Sequence, residues 1–421
     1  MIGPKNLVWE GQMSFWTKHI GRRGFLRQAV SWFLLSLPLP FPKRLEAAVS
    51  PPNPVFWVKN IPDQPFTDSG HPNHHIGIET LLKSMGAKGL KFYRSKAETA
   101  LSGPSGLIKP NDVVLIKVNA QWKYRGCTNG DLIRGLIQRV LDHPDGFKGE
   151  VVIVENGQGR GSLNCDTSKA YGNTWVRANA NNMAHSFVYL VTKVFNDPRV
   201  SSYLLDPIRG TFIDAYDHLT DGYRTFENVS YPCFTTSGGR RVELRKGIWQ
   251  GDKYTQNIKL INVPVLKTHK GSEITASLKH FYGLVTMSDG HSAERHYEGL
   301  GNTCGKMVVS VRPPVLNIVD AIWVSHLALS GYPADKTFRA NQIMASQDPV
   351  ALDYCAAKYI IYPIDNNPNH HPGAAAIDQW LTAACNLINA RGGLYNLNNG
   401  ILIHDTTKQE SEMVIFKRRL P

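Results

Sequence analysis

The chain has 421 residues, of which 42% are apolar and 10% aromatic, and this composition excludes an intrinsically disordered protein. Its formal net charge is +13, but the basic residues are scattered and no stripe of bases with interleaved aromatic residues occurs. We therefore expect no nucleic-acid partner, and the length is sufficient for a large hydrophobic core.

The first 48 residues have the layout of a twin-arginine (Tat) export signal. Arg22 and Arg23 precede an apolar stretch at 29–41, and small residues follow near Ala47, where a peptidase can cut. The apolar stretch contains two prolines and is shorter than the roughly 20 residues that a membrane span needs. We expect export by the Tat translocase, removal of residues 1–48 and a periplasmic or other extracytoplasmic location. The alternative is an N-terminal amphipathic anchor that stays attached.

The chain after the leader stays basic. Residues 1–48 carry seven basic and two acidic side chains, so +8 of the total charge of +13 remains. We expect this positive charge to attract a small anionic ligand or an anionic surface. No later stretch reaches 18 apolar residues, so we predict no transmembrane segment in the mature chain.

The six cysteines lie far apart and form no Cys-x-x-Cys pair. The sequence therefore lacks the cysteine cluster of an iron–sulfur centre, and it identifies no other cofactor. An even number of cysteines in an oxidising compartment allows one or two disulfides. Cys127 and Cys165, in predicted loops, are the better candidates, and the pairing stays open.

Strands and helices alternate in the first half of the chain. Strands are predicted at 55–58, 112–118 and 150–155, and helices at 77–85 and 129–141, the second with Asn129 as its cap. The strands are almost continuously apolar, which is typical of strands buried on both faces. We predict an α/β fold with a mostly parallel sheet and helices on both faces.

The second half contains an irregular region and then resumes the alternation. Within one domain at 49–421, the more polar segment at about 164–256 predicts an insertion or a second lobe, with a helix at 185–195 and a strand at 211–216. Further elements are predicted as strand 258–265, helix 272–284 capped by Ser272, strands 315–319 and 342–345, helix 349–361 capped by Asp348, helix 374–390 and strand 413–417.

A glycine-rich loop follows strand 150–155 and contains Gly157, Gly159, Arg160 and Gly161. Glycines let backbone N–H groups approach an anion, and Arg160 adds a positive charge. Ligands also bind at the carboxyl ends of parallel strands. The spacing is not that of a dinucleotide-binding loop, so the alternative is a flexible connection.

The densest group of polar residues lies at 263–284. The predicted strand carries Lys267 and His269 to its carboxyl end, and the predicted helix places Glu273 and His280 on one face. A lysine and a histidine beside a helix N-terminus can bind an anion or move a proton. The alternative is a solvated basic loop next to an ordinary amphipathic helix.

Several segments, in order and spacing, also carry a family resemblance. They are 114–119, Thr128-Asn129, 151–155 with its glycine loop, 264–269, Thr275 with 277–279 and Gly283, 317–321, and 348–353. Through them the chain resembles the domain-of-unknown-function 362 (DUF362) family from Val55 to about Ile361. It departs from the family pattern at His280, where Asn is usual, and at Gly331-Tyr332-Pro333, where a Gly-x-Gly-Pro-like turn is usual.

The resemblance implies a shared pocket but no reaction, since the family has no general assigned activity. The implied pocket residues are Lys117, Asn119, Lys267, His269, Lys279 and Asp320. Lys117 and Lys267 would bind an anionic group, and His269 could act as acid or base. Asp320 would hold a lysine or a metal ion, or else cap a turn at a strand end. Asp348 and Asp353 are expected to be a helix cap and a packed carboxylate.

We accordingly predict catalytic residues at Lys267, His269 and Lys279, and ligand contacts at Lys117, Asn119, Gly157, Gly159, Arg160, Gly161 and Asp320. Histidines at 71, 74 and 75, at 370 and 371, and at 291 and 296 could each belong to a metal site, although neighbouring loop histidines are usually solvated. The leading hypothesis is a redox or acid–base enzyme for a small anionic substrate. The alternatives are a non-catalytic ligand- or metal-binding protein, or an assembly factor, of the cell envelope.

Overall fold

The computed structural model describes residues 53–66, 70–166, 175–286, 299–391 and 405–421. The predicted export signal at 1–48 and the histidines at 291 and 296 lie outside these ranges. The stretch Pro51–Pro421 forms one compact unit, although two lobes were expected. No helix among the described residues is long and apolar enough to cross a membrane.

The strands form three sheets. They are β1 (Pro54–Lys59), β2 (Tyr93–Arg94), β3 (Ser102–Gly103), β4 (Val113–Lys117), β5 (Glu150–Glu155), β6 (Val200–Leu204), β7 (Gly222–Phe226), β8 (Val229–Thr235), β9 (Arg241–Glu243), β10 (Gly247–Trp249), β11 (Tyr254–Thr255), β12 (Ile258–Asn262), β13 (Val265–His269), β14 (Glu273–Thr275), β15 (Leu316–Ser325), β16 (Phe338–Ser346) and β17 (Val414–Arg419).

The helices are mostly short, and three continue as π-helical turns. They are α1 (Ile76–Gly86), α2 (Gly130–Leu141), α3 (Phe187–Tyr189, continued by Leu190–Phe195), α4 (Ser277–His280), α5 (Leu300–Lys306, continued by Met307–Val311), α6 (Pro349–Ala356, continued by Ala357–Ile361), α7 (Tyr362–Asp365) and α8 (Ala375–Arg391). Single 3₁₀ turns lie at Tyr124–Gly126, Asp206–Ile208, Phe281–Gly283, Ala334–Lys336, Pro368–His370 and Glu410–Glu412.

The large sheet has the strand order β17-β1-β16-β15-β12-β4-β5-β6, and β13 and β14 attach beside β15. Strand β16 runs antiparallel to β1 and β15, and β14 runs antiparallel to β13. The remaining neighbours are parallel. The predicted α/β fold with a mostly parallel sheet is therefore confirmed.

Both faces of the large sheet are buried, because alternate residues of one strand belong to two different hydrophobic clusters. Val114 and Ile116 of β4 pack in the cluster that contains Leu132 of α2. Their neighbours Val113 and Leu115 pack in the other cluster, together with helices α6 and α8. This alternation follows from the two-residue repeat of a strand and explains why β4 is apolar throughout.

The second sheet, in the order β11-β10-β9-β8-β7, is antiparallel and lies within the segment 164–256. Its Tyr223 and Phe234 belong to the same cluster as α8, so it packs against the large sheet. The predicted strand at 211–216 is wrong. Phe212 and Tyr216 are exposed, and the Asp214 side chain accepts a hydrogen bond from the Tyr216 backbone N–H, which closes a turn instead.

The segment 258–284 also differs from its prediction. The predicted strand is divided at Val263 and Pro264 into β12 and β13, and β13 extends alongside β15 beyond the end of β12. The predicted helix at 272–284 is wrong at its start. The chain turns at Gly271, which has φ +87°, and returns as β14, so that Glu273 lies opposite His269.

Helix α4 begins at Ser277 because a distant carboxylate caps it. The two oxygens of Asp353 accept hydrogen bonds from the backbone N–H groups of Ser277, at 2.7 Å, and Leu278, at 2.9 Å. Asp353 is fully buried in α6 and is thus the packed carboxylate that the sequence suggested. The Asp348 cap is also confirmed, since its side chain accepts from Val350 and Ala351 at the start of α6.

Replacing Asp353 by asparagine is expected to lower the free energy of unfolding by roughly 2 kcal/mol, because one of the two buried N–H groups then faces an amide NH₂ and loses its acceptor. Urea denaturation of the wild type and the Asp353→Asn variant measures the difference. Asp335→Asn, at an exposed position, is the matched control and should change little. Equal stability of all three proteins would contradict the capping role.

Candidate functional site

A cavity of about 290 Å³ lies at the carboxyl ends of β4 and β5 and beside β13 and α4. Its lining residues are Lys117, Asn119, Gln121, Glu155, Gln158, Arg160, Lys267, His269, Lys270, Thr275, Lys279, His280, Tyr282, Gly283 and Leu329. Three of the lysines, at 117, 267 and 279, are buried, and Glu155 is the acidic side chain that the described residues contribute to the lining. The cavity is therefore rich in positive charge.

Lys117 and Glu155 form a buried ion pair at the ends of the neighbouring strands β4 and β5. The ammonium of Lys117 also donates a hydrogen bond to the carbonyl oxygen of Val118, at 3.0 Å. Burial lowers the pKa of Lys117 and raises the pKa of Glu155, while each partner's charge opposes the shift of the other. Both groups are thereby brought toward the pH range in which they can exchange a proton.

Lys267 projects from β13 into the same cavity. Its ammonium donates a hydrogen bond to the carbonyl oxygen of Gly126, at 2.8 Å, and forms no ion pair with a carboxylate of the described residues. Burial lowers the pKa of Lys267 to about 7, and the charge of Lys117 lowers it further against opposing contributions from Cys127 and Glu155. An amine with this pKa is partly neutral at neutral pH.

Lys279 lies on α4, with its ammonium 4.9 Å from the centre of the Tyr282 ring. Burial lowers the pKa of Lys279 to about 7, and the charge of Lys267 acts in the same direction. The cap from Asp353 sets the start of α4 and so positions Lys279 two residues later. The face of the Tyr282 ring contributes to the stabilisation of this buried positive charge.

The buried ring of His280 lines the cavity. Its Nδ1 is 2.7 Å from the amide oxygen of Asn262, so Nδ1 carries the proton, and Asn262 is held in turn by Asn317. The Nε2 atom is buried and has no hydrogen-bond partner among the described residues. Burial and the charges of Lys117 and Lys267 hold the pKa of His280 well below its usual value, so the ring is neutral.

The glycine-rich loop contributes less than the sequence predicted. The backbone N–H groups of Gly157 and Gly159 both donate to the carboxylate of Asp206, each at 2.5 Å, and Gly161 donates to the carbonyl of Gly157. The anion that these glycines bind is thus a side chain of the protein itself. From this loop, Gln158 and Arg160 line the cavity.

The remaining predicted residues divide between the cavity and the scaffold. Asn119 lines the cavity, and its side-chain oxygen accepts from the Val265 backbone at 2.8 Å, which ties β13 to the end of β4. His269 lines the cavity from the half-buried end of β13. Asp320 does not line it, because its carboxylate accepts from the backbone of Asn129 and Ile322. These contacts fit the alternative that Asp320 caps a turn at a strand end.

Several lining residues were not predicted from the sequence. Glu155 ends an apolar strand and could have been found by that signal, since a carboxylate at the end of a buried strand needs a partner. His280 was noted on one face of the predicted helix and as a departure from the family pattern, but it was not assigned to the site. Gln121, Thr275, Tyr282 and Leu329 carry no local signal.

The histidines and cysteines are mainly structural where the structure describes them. In the described ranges no three His, Cys, Asp or Glu residues are grouped as a metal site. His75 caps α1, and His370 contacts Asp365 and Thr268. All six cysteines are free thiols in the structure, including Cys127 and Cys165, the better disulfide candidates, which are both buried.

Gly283 provides the space for the ion pair. A Cβ atom at this position would overlap the ammonium of Lys117 and the carboxylate of Glu155. Gly283→Ala is expected to displace both side chains and to lower the free energy of unfolding by about 1–3 kcal/mol. Urea denaturation measures this against Gly210→Ala, where no atom lies within 4 Å of the new Cβ. If both variants have the free energy of unfolding of the wild type, Gly283 is not needed to accommodate the ion pair of Lys117 and Glu155.

The fold and the cavity define an α/β protein with a lysine-rich pocket at the carboxyl ends of its parallel strands. Residues 234–358 match the model of the family described as "Domain of unknown function (DUF362)", so the chain contains a DUF362 domain over that stretch. The matched stretch includes Lys267, Lys279 and the capping residue Asp353. No curated protein and no solved structure matches the chain.

Proposed function

We propose that the cavity binds a small anion and that the protein is an enzyme performing acid–base chemistry on it. The observation that carries the proposal is the burial of Lys117, Lys267 and Lys279 around one cavity. An anionic ligand in this cavity would be attracted by the charges of these lysines, and Arg160 would add to the attraction.

The same residues support the acid–base part of the proposal. A catalytic acid or base is most effective when its pKa lies near the working pH. Burial lowers the pKa of Lys267 and Lys279 to about 7 and raises that of Glu155, so all three can gain or lose a proton near neutral pH. His280 would accept a hydrogen bond from a ligand hydroxyl or amide group at Nε2.

Thermal unfolding with a matched pair of probes tests anion binding. Malonate and phosphate are expected to raise the melting temperature of the protein, whereas the uncharged malonamide is not. Saturation at 100 times the dissociation constant corresponds to about 2.7 kcal/mol of added stability. Equal effects of malonate and malonamide, or no effect of either anion, would overturn the proposal.

We also propose that the protein works outside the cytoplasm after export by the Tat translocase. The support is the arrangement of Arg22 and Arg23 before the apolar stretch at 29–41. Exchanging both arginines for lysine is expected to keep the protein in the cytoplasm, which cell fractionation measures. The size of the protein shows whether residues 1–48 have been removed. Unchanged export of the double variant would refute this location.

A further inference from the structure

We infer that Lys267 is a nucleophile that captures a small 2-oxo acid as a Schiff base in the lysine-rich cavity. The inference rests on the proposed function and specifies its substrate as an anion with a carbonyl group next to a carboxylate. It assigns different tasks to three lysines that the cavity brings together.

The contacts of the lysines distinguish Lys267 from Lys117. The ammonium of Lys117 is held by Glu155, which keeps it charged and occupies it. The ammonium of Lys267 has the carbonyl of Gly126 as its hydrogen-bond partner, and its side chain is 1% exposed. A lysine becomes nucleophilic when burial or a neighbouring cation favours its neutral amine, and Lys267 has both.

The two other buried lysines suit the carboxylate of a 2-oxo acid. Lys117 and Lys279 line the same cavity as Lys267, and the charges of Lys117 and Lys267 and those of Lys267 and Lys279 influence each other. A carboxylate bonded directly to the carbonyl carbon would be attracted by these charges while the carbonyl faces Lys267. The cavity of about 290 Å³ has room for a small acid of this class.

The covalent step is balanced without an oxidant or reductant. The lone pair of the Lys267 amine attacks the carbonyl carbon, and the electrons of the C=O double bond move to oxygen, which takes up a proton. The resulting carbinolamine loses its hydroxyl group as water, and the nitrogen gives up its proton as the C=N bond forms. No net proton is consumed, because the nitrogen releases one proton for each proton that the departing hydroxyl group takes up.

Reductive trapping tests the inference on the full-length protein. Incubation with pyruvate or glyoxylate and sodium cyanoborohydride is expected to add one reduced acid per chain, located at Lys267 by peptide mapping. Labelling at Lys267 should exceed that at the exposed Lys270 by at least about tenfold. No adduct with either acid, or equal labelling of exposed lysines, would overturn the inference.

Two controls separate this inference from the proposed function. Lys96→Met, at an exposed position away from the cavity, should keep the adduct. Lys267→Met should lose it while unfolding cooperatively at an unchanged or higher temperature. Malonate should stabilise the wild type and slow the trapping. Stabilisation by malonate without any adduct would refute the Schiff base alone, while the absence of both effects would refute anion binding itself.

Discussion

Lys267→Met is expected to abolish malonate binding while the free energy of unfolding at pH 7 stays at the wild-type value or rises. Burial lowers the pKa of Lys267 from 10.5 to about 7, which costs the folded state roughly 4 kcal/mol at pH 7. Methionine removes this cost and gives up one hydrogen bond to Gly126, worth about 1 kcal/mol. Urea denaturation and titration calorimetry measure the two effects.

The expected gain in stability also depends on pH with a defined sign. A lysine whose folded pKa is lowered destabilises the native state most at and below that pKa, and the cost disappears as the pH rises toward the unfolded value. The advantage of Lys267→Met should therefore shrink between pH 7 and pH 10. A pH-independent difference would contradict the lowered pKa.

Lys259→Met is the matched control for this prediction. Lys259 is a buried lysine of β12 that lies 3.9 Å from the buried Asp112, and it does not line the cavity. Its replacement is expected to destabilise the protein by leaving Asp112 without its cation, yet to leave malonate binding intact. If Lys267→Met strongly destabilises the protein, and if both Lys267→Met and Lys259→Met lose malonate binding, then Lys267 has a structural role and not a binding role.

Lys117→Met is expected to destabilise the protein by about 3–5 kcal/mol at neutral or higher pH, because Glu155 is then a buried carboxylate without its partner. The double variant Lys117→Met with Glu155→Gln removes both charges and should recover most of this loss. Urea denaturation of the two single variants and the double variant gives the coupling free energy.

The deficit of Lys117→Met should increase with pH. Burial raises the folded pKa of Glu155 above its unfolded value, and loss of the Lys117 charge raises it further. The protonated carboxyl group is tolerated at low pH, so this contribution to stability is present there and is lost as the pH rises through the folded pKa. A constant deficit between pH 5 and pH 9, or no deficit, would contradict the buried pair.

The sequence predicts those parts of the fold that local patterns determine. Strand β5 was predicted at its observed residues because it is continuously apolar, and α2 and α6 were predicted through their caps, Asn129 and Asp348. The resemblance to the DUF362 family implied one pocket for Lys117 and Lys267, and both lysines line the observed cavity.

The errors arise where a distant residue overrides a local pattern. Asp353 decides where α4 begins, and it is separated from Ser277 by 76 positions in the sequence. Asp206 binds the N–H groups of the glycine loop, which a local pattern had assigned to a ligand. Glu155 was missed as a site residue, and its partner Lys117 lies on a different strand.

Proton uptake on anion binding tests most directly the claim that the cavity is a site for anions built from buried lysines. Since the pKa of Lys267 and Lys279 is lowered to about 7, both are largely neutral at pH 8, and a bound anion should restore their charge. Malonate is titrated into the protein at pH 8 in two buffers with different ionisation enthalpies, so that the difference in heat gives the number of protons taken up. We expect net proton uptake by the wild type and none by the double variant that carries Lys267→Met and Lys279→Met. Binding of malonate without proton uptake, or no binding at all, would contradict the account.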